Sequence, residues 1–122
     1  MTEQDIGCCF AVHKELSPGF PEKTYQSALA RALEAAKISH VIEKSFRVSF
    51  REAYVGSFKV NLLVEQQVVV EVKAVTGLMP KIFEAQILAY LKAARLSVGL
   101  LVNFGGMSCH VRRLVYESAQ SL

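Results

Sequence analysis

Hydrophobic positions near the start of the chain recur every three or four residues. This spacing runs from Thr2 to Leu16, and again from Pro21 to about Ile38, and it is typical of amphipathic helices. The stretch Ser17-Pro18-Gly19 between the two segments is a signal for a helix to stop. We therefore predict two helices in the first third of the chain.

The middle of the chain alternates apolar and polar residues, which is the spacing of a β-strand. Phe46 to Phe50 and Phe58 to Glu65 both alternate in this way. The run from Val68 to Val75 is rich in valine, a β-branched residue that suits the centre of a sheet. Because only Gln66-Gln67 separates the last two segments, we predict that they form a hairpin.

The last third returns to helical spacing and then to strand spacing. Ile82 to Leu91 predicts a third helix, Val98 to Phe104 a short apolar strand, and Cys109 to Glu117 an edge strand. The order strand, helix, strand favours a parallel crossover. We therefore expect one α/β domain over residues 1–122, a mixed β-sheet with the first two helices on one side and the third on the other.

Composition narrows the functional classes only a little. The chain is 52% hydrophobic, which suggests that some apolar surface is covered by a partner or by a second copy of the chain in a homo-oligomer. A net charge of +3 permits contact with a polyanion but is far from the basic stripe of a dedicated nucleic-acid binder. We expect no membrane span, since none of the apolar runs approaches about 20 residues. The start of the chain, Met1 to Asp5, lacks the features of a secretion signal, so we expect a cytoplasmic protein.

Two charged residues stand on the valine-rich strand. Glu71 and Lys73 are two positions apart and therefore project from the same face of the strand. Burying them is costly unless they pair with each other or open onto a metal or a substrate. A simple ion pair on the sheet surface is the alternative interpretation.

The neighbouring strand carries a polar residue that the hairpin should bring close to Glu71. Strict alternation predicts that Lys59, Asn61 and Leu63 share one face of the strand. It predicts that the other face carries Val60, Leu62 and Val64. Asn61 would then point toward Glu71. The pattern predicts a polar patch made by Asn61, Glu71 and Lys73.

Further candidates lie on the helices. Gln86 and Tyr90 are four positions apart and so are neighbours on the third helix, where a structural role is the alternative. Glu22 opens the second helix, and its alternative role is to interact with the helix dipole. Asp5, the only aspartate in the chain, is expected to cap the first helix.

These residues stand in the order of a known family. Gly19-Phe20-Pro21-Glu22-Lys23-Thr24-Tyr25 resembles the motif that names the GxxExxY family. The likeness continues through Glu71-Val72-Lys73, the QxxxY spacing from Gln86 to Tyr90, and Leu100-Leu101-Val102-Asn103-Phe104-Gly105. It covers residues 5 to 117, which is nearly the whole chain.

The family resembles a branch of the PD-(D/E)XK nuclease superfamily, which implies a restriction-endonuclease-like core and magnesium- or manganese-dependent hydrolysis of phosphodiesters in DNA. By that resemblance Glu71 would bind the metal and Lys73 would position the attacking water. Glu22 would be a further acidic ligand. Gln86 and Tyr90 would shape the site or contact the substrate.

One position departs from the family pattern. Asn61 stands where the resemblance implies an aspartate that binds the metal, and an amide oxygen brings no negative charge to a magnesium ion. Lys59 adds positive charge nearby. Hydrolysis is therefore expected to be weakened or absent. One alternative is a non-catalytic module that keeps a degenerate nuclease fold and binds nucleic acid or a protein. Another is that the patch holds a small ligand.

Overall fold

The structure, a computed structural model, describes residues 2–117. In chain order its elements are α1 (Thr2–Leu16), α2 (Glu22–Ala35), β1 (His40–Phe50), β2 (Ala53–Val64), β3 (Val68–Lys73), α3 (Ile82–Ala94), β4 (Val98–Asn103) and β5 (His110–Val115). The domain expected over residues 1–122 thus includes six residues, 1 and 118–122, outside the described part. Its exact limits stay a prediction.

The strands form one five-stranded sheet in the order β1-β2-β3-β4-β5. Neighbours are antiparallel except β3 and β4, which are parallel and connected through α3. One apolar cluster joins α1 and α2 to one face of the sheet, and a second joins α3 to the other face. The predicted mixed sheet, the hairpin and the placement of the three helices are confirmed.

The second helix ends earlier than its periodicity predicts, at Ala35 instead of Ile38. Lys37 takes a left-handed backbone conformation with φ of 60°, which ends the helix. The Ile38 N–H then donates to the Leu33 carbonyl at 2.9 Å, and the Ile38 side chain is buried.

None of the helices in residues 2–117 is long and apolar enough to cross a membrane.

The first hairpin is longer than the alternating pattern predicts. β1 begins at His40 instead of Phe46, and β2 begins at Ala53 instead of Phe58. Between the paired residues Phe50 and Ala53, Arg51 and Glu52 have φ of 51° and 68°. Two central residues with positive φ make the tight turn that matches the twist of a hairpin. β3 ends at Lys73, two residues before the predicted end.

Asp5 does not cap the first helix, as the sequence suggested, but lies within its first turn. Its side chain is buried, and neither carboxylate oxygen has a hydrogen-bond partner within residues 2–117. Burial, followed by the charge of Glu65, raises the pKa of this carboxyl. Asp5 therefore lies apart from the polar patch predicted on β2 and β3.

Candidate functional site

The strands β2 and β3 separate beyond the pair Leu62–Val70, the last of three paired positions in their ladder. We call this separation, bounded by Asn61 and Glu71, the fork. Here side chains replace backbone partners: the Val72 N–H donates to Asn61 Oδ1 at 2.8 Å, and the Asn61 N–H donates to Glu71 Oε1 at 3.2 Å. The structure thus brings together the two polar residues that the sequence placed on neighbouring strands.

Strict alternation along β2, however, is wrong at this point. Val60 packs with Leu63 in the cluster under α3, whereas Leu62 and Val64 pack in the cluster under α1 and α2. Val60 and Leu62 therefore lie on opposite faces of the sheet. The irregularity coincides with Glu43 on β1, whose φ of 53° interrupts the pairing between Ile42–Leu62 and Lys44–Val60. A local break of this kind turns a strand residue away from its regular face.

Gln26 on α2 completes the fork, and the sequence analysis missed it. It is buried, its Oε1 accepts from Asn61 Nδ2 at 2.6 Å, and its Nε2 donates to Glu43 Oε2 at 3.0 Å. Lys23 forms an ion pair with the same Glu43 oxygen. Gln26 lies one turn after Glu22 on the same helix face, and that spacing was the available signal.

Glu71 is the most perturbed acid of the fork, with only 7% of its surface exposed. Burial is the main reason that the pKa of Glu71 is raised to about 7, and the charge of Glu22 makes a smaller contribution in the same direction. The Asn61 N–H and the charge of Lys73 act in the opposite direction. Burial disfavours the ionised form of a carboxyl. Glu71 is therefore partly protonated at neutral pH.

Lys73 does not form the simple ion pair that was the alternative interpretation. The ion pairs within residues 2–117 are Lys23–Glu43 and Arg112–Glu84. The Lys73 ammonium instead lies 4.2 Å from the centre of the Phe83 ring on α3, an interaction between a cation and an aromatic face. Lys73 thus lies on the α3 side of the sheet, close enough to lower the pKa of Glu71.

The two candidates on α3 differ in their surroundings. Tyr90 is half-buried and stacks on Phe58 with ring centres 4.1 Å apart. Burial, and then the negative charge of Glu71, raise the pKa of its hydroxyl, so Tyr90 lies near the fork. Gln86, one turn earlier, is exposed. A role for Gln86 in the site therefore stays a prediction.

The segment from Gly19 to Tyr25 builds the loop that presents Glu22. The buried Tyr25 hydroxyl donates to the Ser17 carbonyl at 2.6 Å and accepts from the Phe20 N–H at 3.1 Å. Gly19 has φ of 124°, which favours glycine. Tyr25 is therefore a structural clamp, while Glu22 stays exposed and acts on Glu71 through its charge.

Asn103 holds the chain that leaves β3 after Lys73. Its Oδ1 accepts from the N–H groups of Val75 and Gly105 at 2.8 and 3.0 Å, and its Nδ2 donates to the Val75 carbonyl at 3.0 Å. A Cβ on Gly105 would lie 2.4 Å from the Val75 nitrogen, so only glycine fits this approach. The Asn-Phe-Gly part of the motif thus fixes the exit from the fork.

A cavity of about 390 Å³ lies beside the sheet rather than at the fork. Its lining residues come from the loop before α3, from α3 itself and from β4 and β5, and they include Leu78, Glu84, Leu101, His110 and Arg112. Asn61, Glu71 and Gln26 do not line it. This cavity therefore gives no support to a small ligand held at the predicted patch.

The donors at the fork do not fit a magnesium or manganese ion well. Such ions are bound through carboxylates, and the described range, residues 2–117, contains no group of three or more His, Cys, Asp or Glu arranged to hold a metal. Asn61 Oδ1 already accepts from Val72, and its Nδ2 donates to Gln26. Glu71 is the one buried carboxyl of the fork, and its burial disfavours the ionised form that would bind a cation.

Comparisons with known proteins add a family and a fold. A model of the PD-(D/E)XK nuclease superfamily matches residues 1–114. No curated protein matches the chain. A solved structure titled "Crystal structure of SSO0001" superimposes with a TM-score of 0.62 over 81% of this chain and 52% of its own, at 14% identity. The chain thus spans about half the length of that protein, and at this identity the likeness shows the fold.

Proposed function

The chain belongs to the PD-(D/E)XK nuclease superfamily, and from that premise we propose that it binds nucleic acid without efficient hydrolysis. The observation that carries this proposal is Asn61. Its side chain donates to Gln26 and accepts from the Val72 N–H. A neutral amide thus stands where the family resemblance implies an aspartate.

The hydrogen bonds around Asn61 support a fork adapted to an amide. Gln26 offers its carbonyl oxygen to Asn61 because its own NH₂ group is directed at Glu43. An aspartate at position 61 would place two acceptors against each other unless Gln26 turned over and released Glu43. Polar networks of this kind favour one arrangement because each unsatisfied buried group is costly.

Metal-dependent hydrolysis of DNA by Glu71, Lys73 and Glu22 is the second candidate. Its support is the pKa of Glu71 at about 7, since strongly perturbed acids cluster at functional sites. A bound cation would favour the ionised form of this carboxyl. In this alternative Asn61 would be a neutral ligand beside Glu71 and Glu22, and Gln86 and Tyr90 would contact the substrate.

One experiment separates the two candidates. The purified chain is incubated with labelled single- and double-stranded DNA in magnesium or manganese, and binding and cleavage are measured beside Glu71→Ala. Binding without cleavage is the result expected from the first candidate. Cleavage that disappears in Glu71→Ala would establish the second candidate. Cleavage that persists in Glu71→Ala would contradict both candidates.

We also propose the finer assignments that follow from the sequence. The motif from Gly19 to Tyr25 and the Glu71-Val72-Lys73 triplet favour the GxxExxY branch of the superfamily. DNA is the proposed partner, magnesium or manganese the cation of the second candidate, and the cytoplasm the proposed location. A homo-oligomer stays a prediction, supported by exposed apolar residues such as Val41, Ile42 and Val115.

A further inference from the structure

We propose that the end of the β1–β2 hairpin is an arm that binds a single-stranded segment of nucleic acid by stacking and charge. The arm is residues 44–59, and its binding surface, the arm face, is formed by six exposed residues: Ser45, Arg47, Ser49, Tyr54, Ser57 and Lys59. This inference deepens the proposed function, because it adds a strand-binding surface to the fork.

The register of the hairpin places these six side chains on one face. Ser45 pairs with Lys59, Arg47 with Ser57, and Ser49 with Tyr54 beyond a bulge. Cross-strand partners and residues two apart share a face of a hairpin. The Arg47 guanidinium lies 4.4 Å from the centre of the Tyr54 ring, which places those two side chains together. The arm face carries hydroxyl groups and positive charges and no carboxylate.

The positive charge of the chain is concentrated in the arm. The arm contains four basic residues and one acidic residue, a net charge of +3 that equals the net charge of the whole chain. The remaining residues contain ten basic and ten acidic side chains. A local excess of this kind attracts phosphates even when the total charge of the protein is modest.

The opposite face of the arm is anchored to the body of the protein. Phe46 stacks on Phe58 with ring centres 5.5 Å apart, and Phe58 stacks in turn on Tyr90 of α3. The arm face points away from this contact and toward the side of α2, where Lys59 lies close enough to Glu43 to lower its pKa. Glu43 in turn accepts a hydrogen bond from Gln26 of the fork, so the arm face ends beside the fork.

The aromatic residues of the arm favour unpaired bases over a duplex. Tyr54 on the arm face is 56% exposed with Arg47 over its ring, and Phe50, on the other face beside the turn, is 59% exposed with Arg51 over its ring. Exposed aromatic and guanidinium planes stack on bases whose faces are open. In a duplex those faces are covered by neighbouring base pairs. Asn61 and Tyr54 are seven positions apart on β2, roughly 23 Å, so a nucleic-acid strand at the fork reaches the arm within a few nucleotides.

The test measures fluorescence anisotropy of labelled oligodeoxythymidine of about 20 nucleotides, long enough to span roughly 23 Å at the phosphate spacing of DNA. Loss of stacking in Tyr54→Leu, which keeps every charge, should weaken binding about tenfold. The control for loss of a positive charge, matched to Lys59→Ser below, is Arg113→Ser on β5, because Arg113 is exposed at the other edge of the sheet. It should change the affinity less than about twofold.

Salt dependence separates stacking from charge. Lys59→Ser should reduce the slope of log affinity against log salt by about 0.7, the value for one phosphate contact with a single strand. Tyr54→Leu should leave this slope unchanged. Duplex DNA of the same length should bind the native chain more weakly than the single strand does. Its affinity for Tyr54→Leu should equal its affinity for the native chain.

Three outcomes would overturn the inference. Equal binding by the native chain and Tyr54→Leu would exclude the arm as a binding surface and would leave the fork as the proposed binding site. Loss of self-association in Tyr54→Leu, measured by light scattering, together with unchanged DNA binding, would assign the arm to a second copy of the chain. A native chain that binds no oligonucleotide would overturn the proposed function as well, which distinguishes that failure from a failure of the arm alone.

Discussion

The fork and the arm are both built on β2, yet they have opposite surroundings. At the fork Asn61, Gln26 and Glu71 are shielded residues joined by hydrogen bonds. The neutral amide of Asn61 stands there in place of the negative charge that the family resemblance implies. On the arm every residue of the arm face is exposed, and charge is spread over several side chains. The same strand thus carries the site where we propose that chemistry is decided and, farther along, the surface that we propose for binding.

The largest difference in stability should appear between Asn61 and Ser57, four residues apart on β2. Asn61→Ala leaves Gln26 Oε1 and the Val72 N–H without partners, and each unsatisfied buried group costs about 1–3 kcal/mol. We expect the free energy of unfolding to fall by about 3–4 kcal/mol. Ser57→Ala, at an exposed arm position, should change it by less than about 0.5 kcal/mol. Urea unfolding of both variants tests this contrast, and equal effects would refute it.

A pH-dependent contribution to stability should come from the fork. The pKa of Glu71 is about 7 in the folded protein, above its ordinary value of 4.5, so the folded state binds more protons than the unfolded state between these pH values. The contribution is fully present below pH 4.5 and is lost as the pH rises through 7.

Glu71→Gln removes this dependence while keeping an oxygen that accepts from the Asn61 N–H. The difference in unfolding free energy between the native chain and the variant should change by up to about 3 kcal/mol across that pH range. The variant gains relative stability at the high-pH end. Urea unfolding at a series of pH values in a chelating buffer measures this difference, and a constant difference would contradict the raised pKa.

A smaller loss is expected where the loop before α2 is clamped. Tyr25→Phe removes the hydroxyl that donates to Ser17 and accepts from Phe20, while keeping the stack on Phe104. Loss of these hydrogen bonds should lower the free energy of unfolding by about 1–2 kcal/mol. Thermal unfolding provides the measurement. A matched Tyr116→Phe variant, at a half-buried position on the far side of the sheet, should lose less.

The smallest effect sharpens the contrast between affinity and stability. Tyr54→Leu, which should weaken binding of single strands, should alter the free energy of unfolding by less than about 0.5 kcal/mol, because the ring is 56% exposed. Circular dichroism during urea unfolding checks this expectation. A larger loss would mean that the arm stabilises the fold.

The sequence predicted the parts of the molecule in which one periodicity holds. Each of the three helices buries one regular face and the valine-rich β3 is buried on both faces, so their order and their sides of the sheet were predicted correctly. The first hairpin was predicted too short because the segments from His40 to Ser45 and from Ala53 to Ser57 have no alternating buried face. A hairpin that extends past the core has little burial to impose a pattern.

The fork was only partly predictable. Asn61, Glu71 and Lys73 could be placed by counting along strands, but the reversal between Val60 and Leu62 coincides with an irregularity at Glu43 on another strand. Gln26 joined the site through a contact across 35 positions of the chain. Contacts between distant side chains leave no periodic signal in one sequence, and for that reason this residue was missed.

The most direct test of the central claim is a calorimetric titration of magnesium and manganese into the native chain and into Asn61→Asp. The account predicts weak or undetectable binding to the native chain, because its fork lacks one negative charge. It predicts measurable binding to Asn61→Asp, in which Gln26 turns its NH₂ group toward position 61, and loss of that binding in the double variant with Glu71→Ala. Tight binding of either ion to the native chain, abolished by Glu71→Ala, would contradict it.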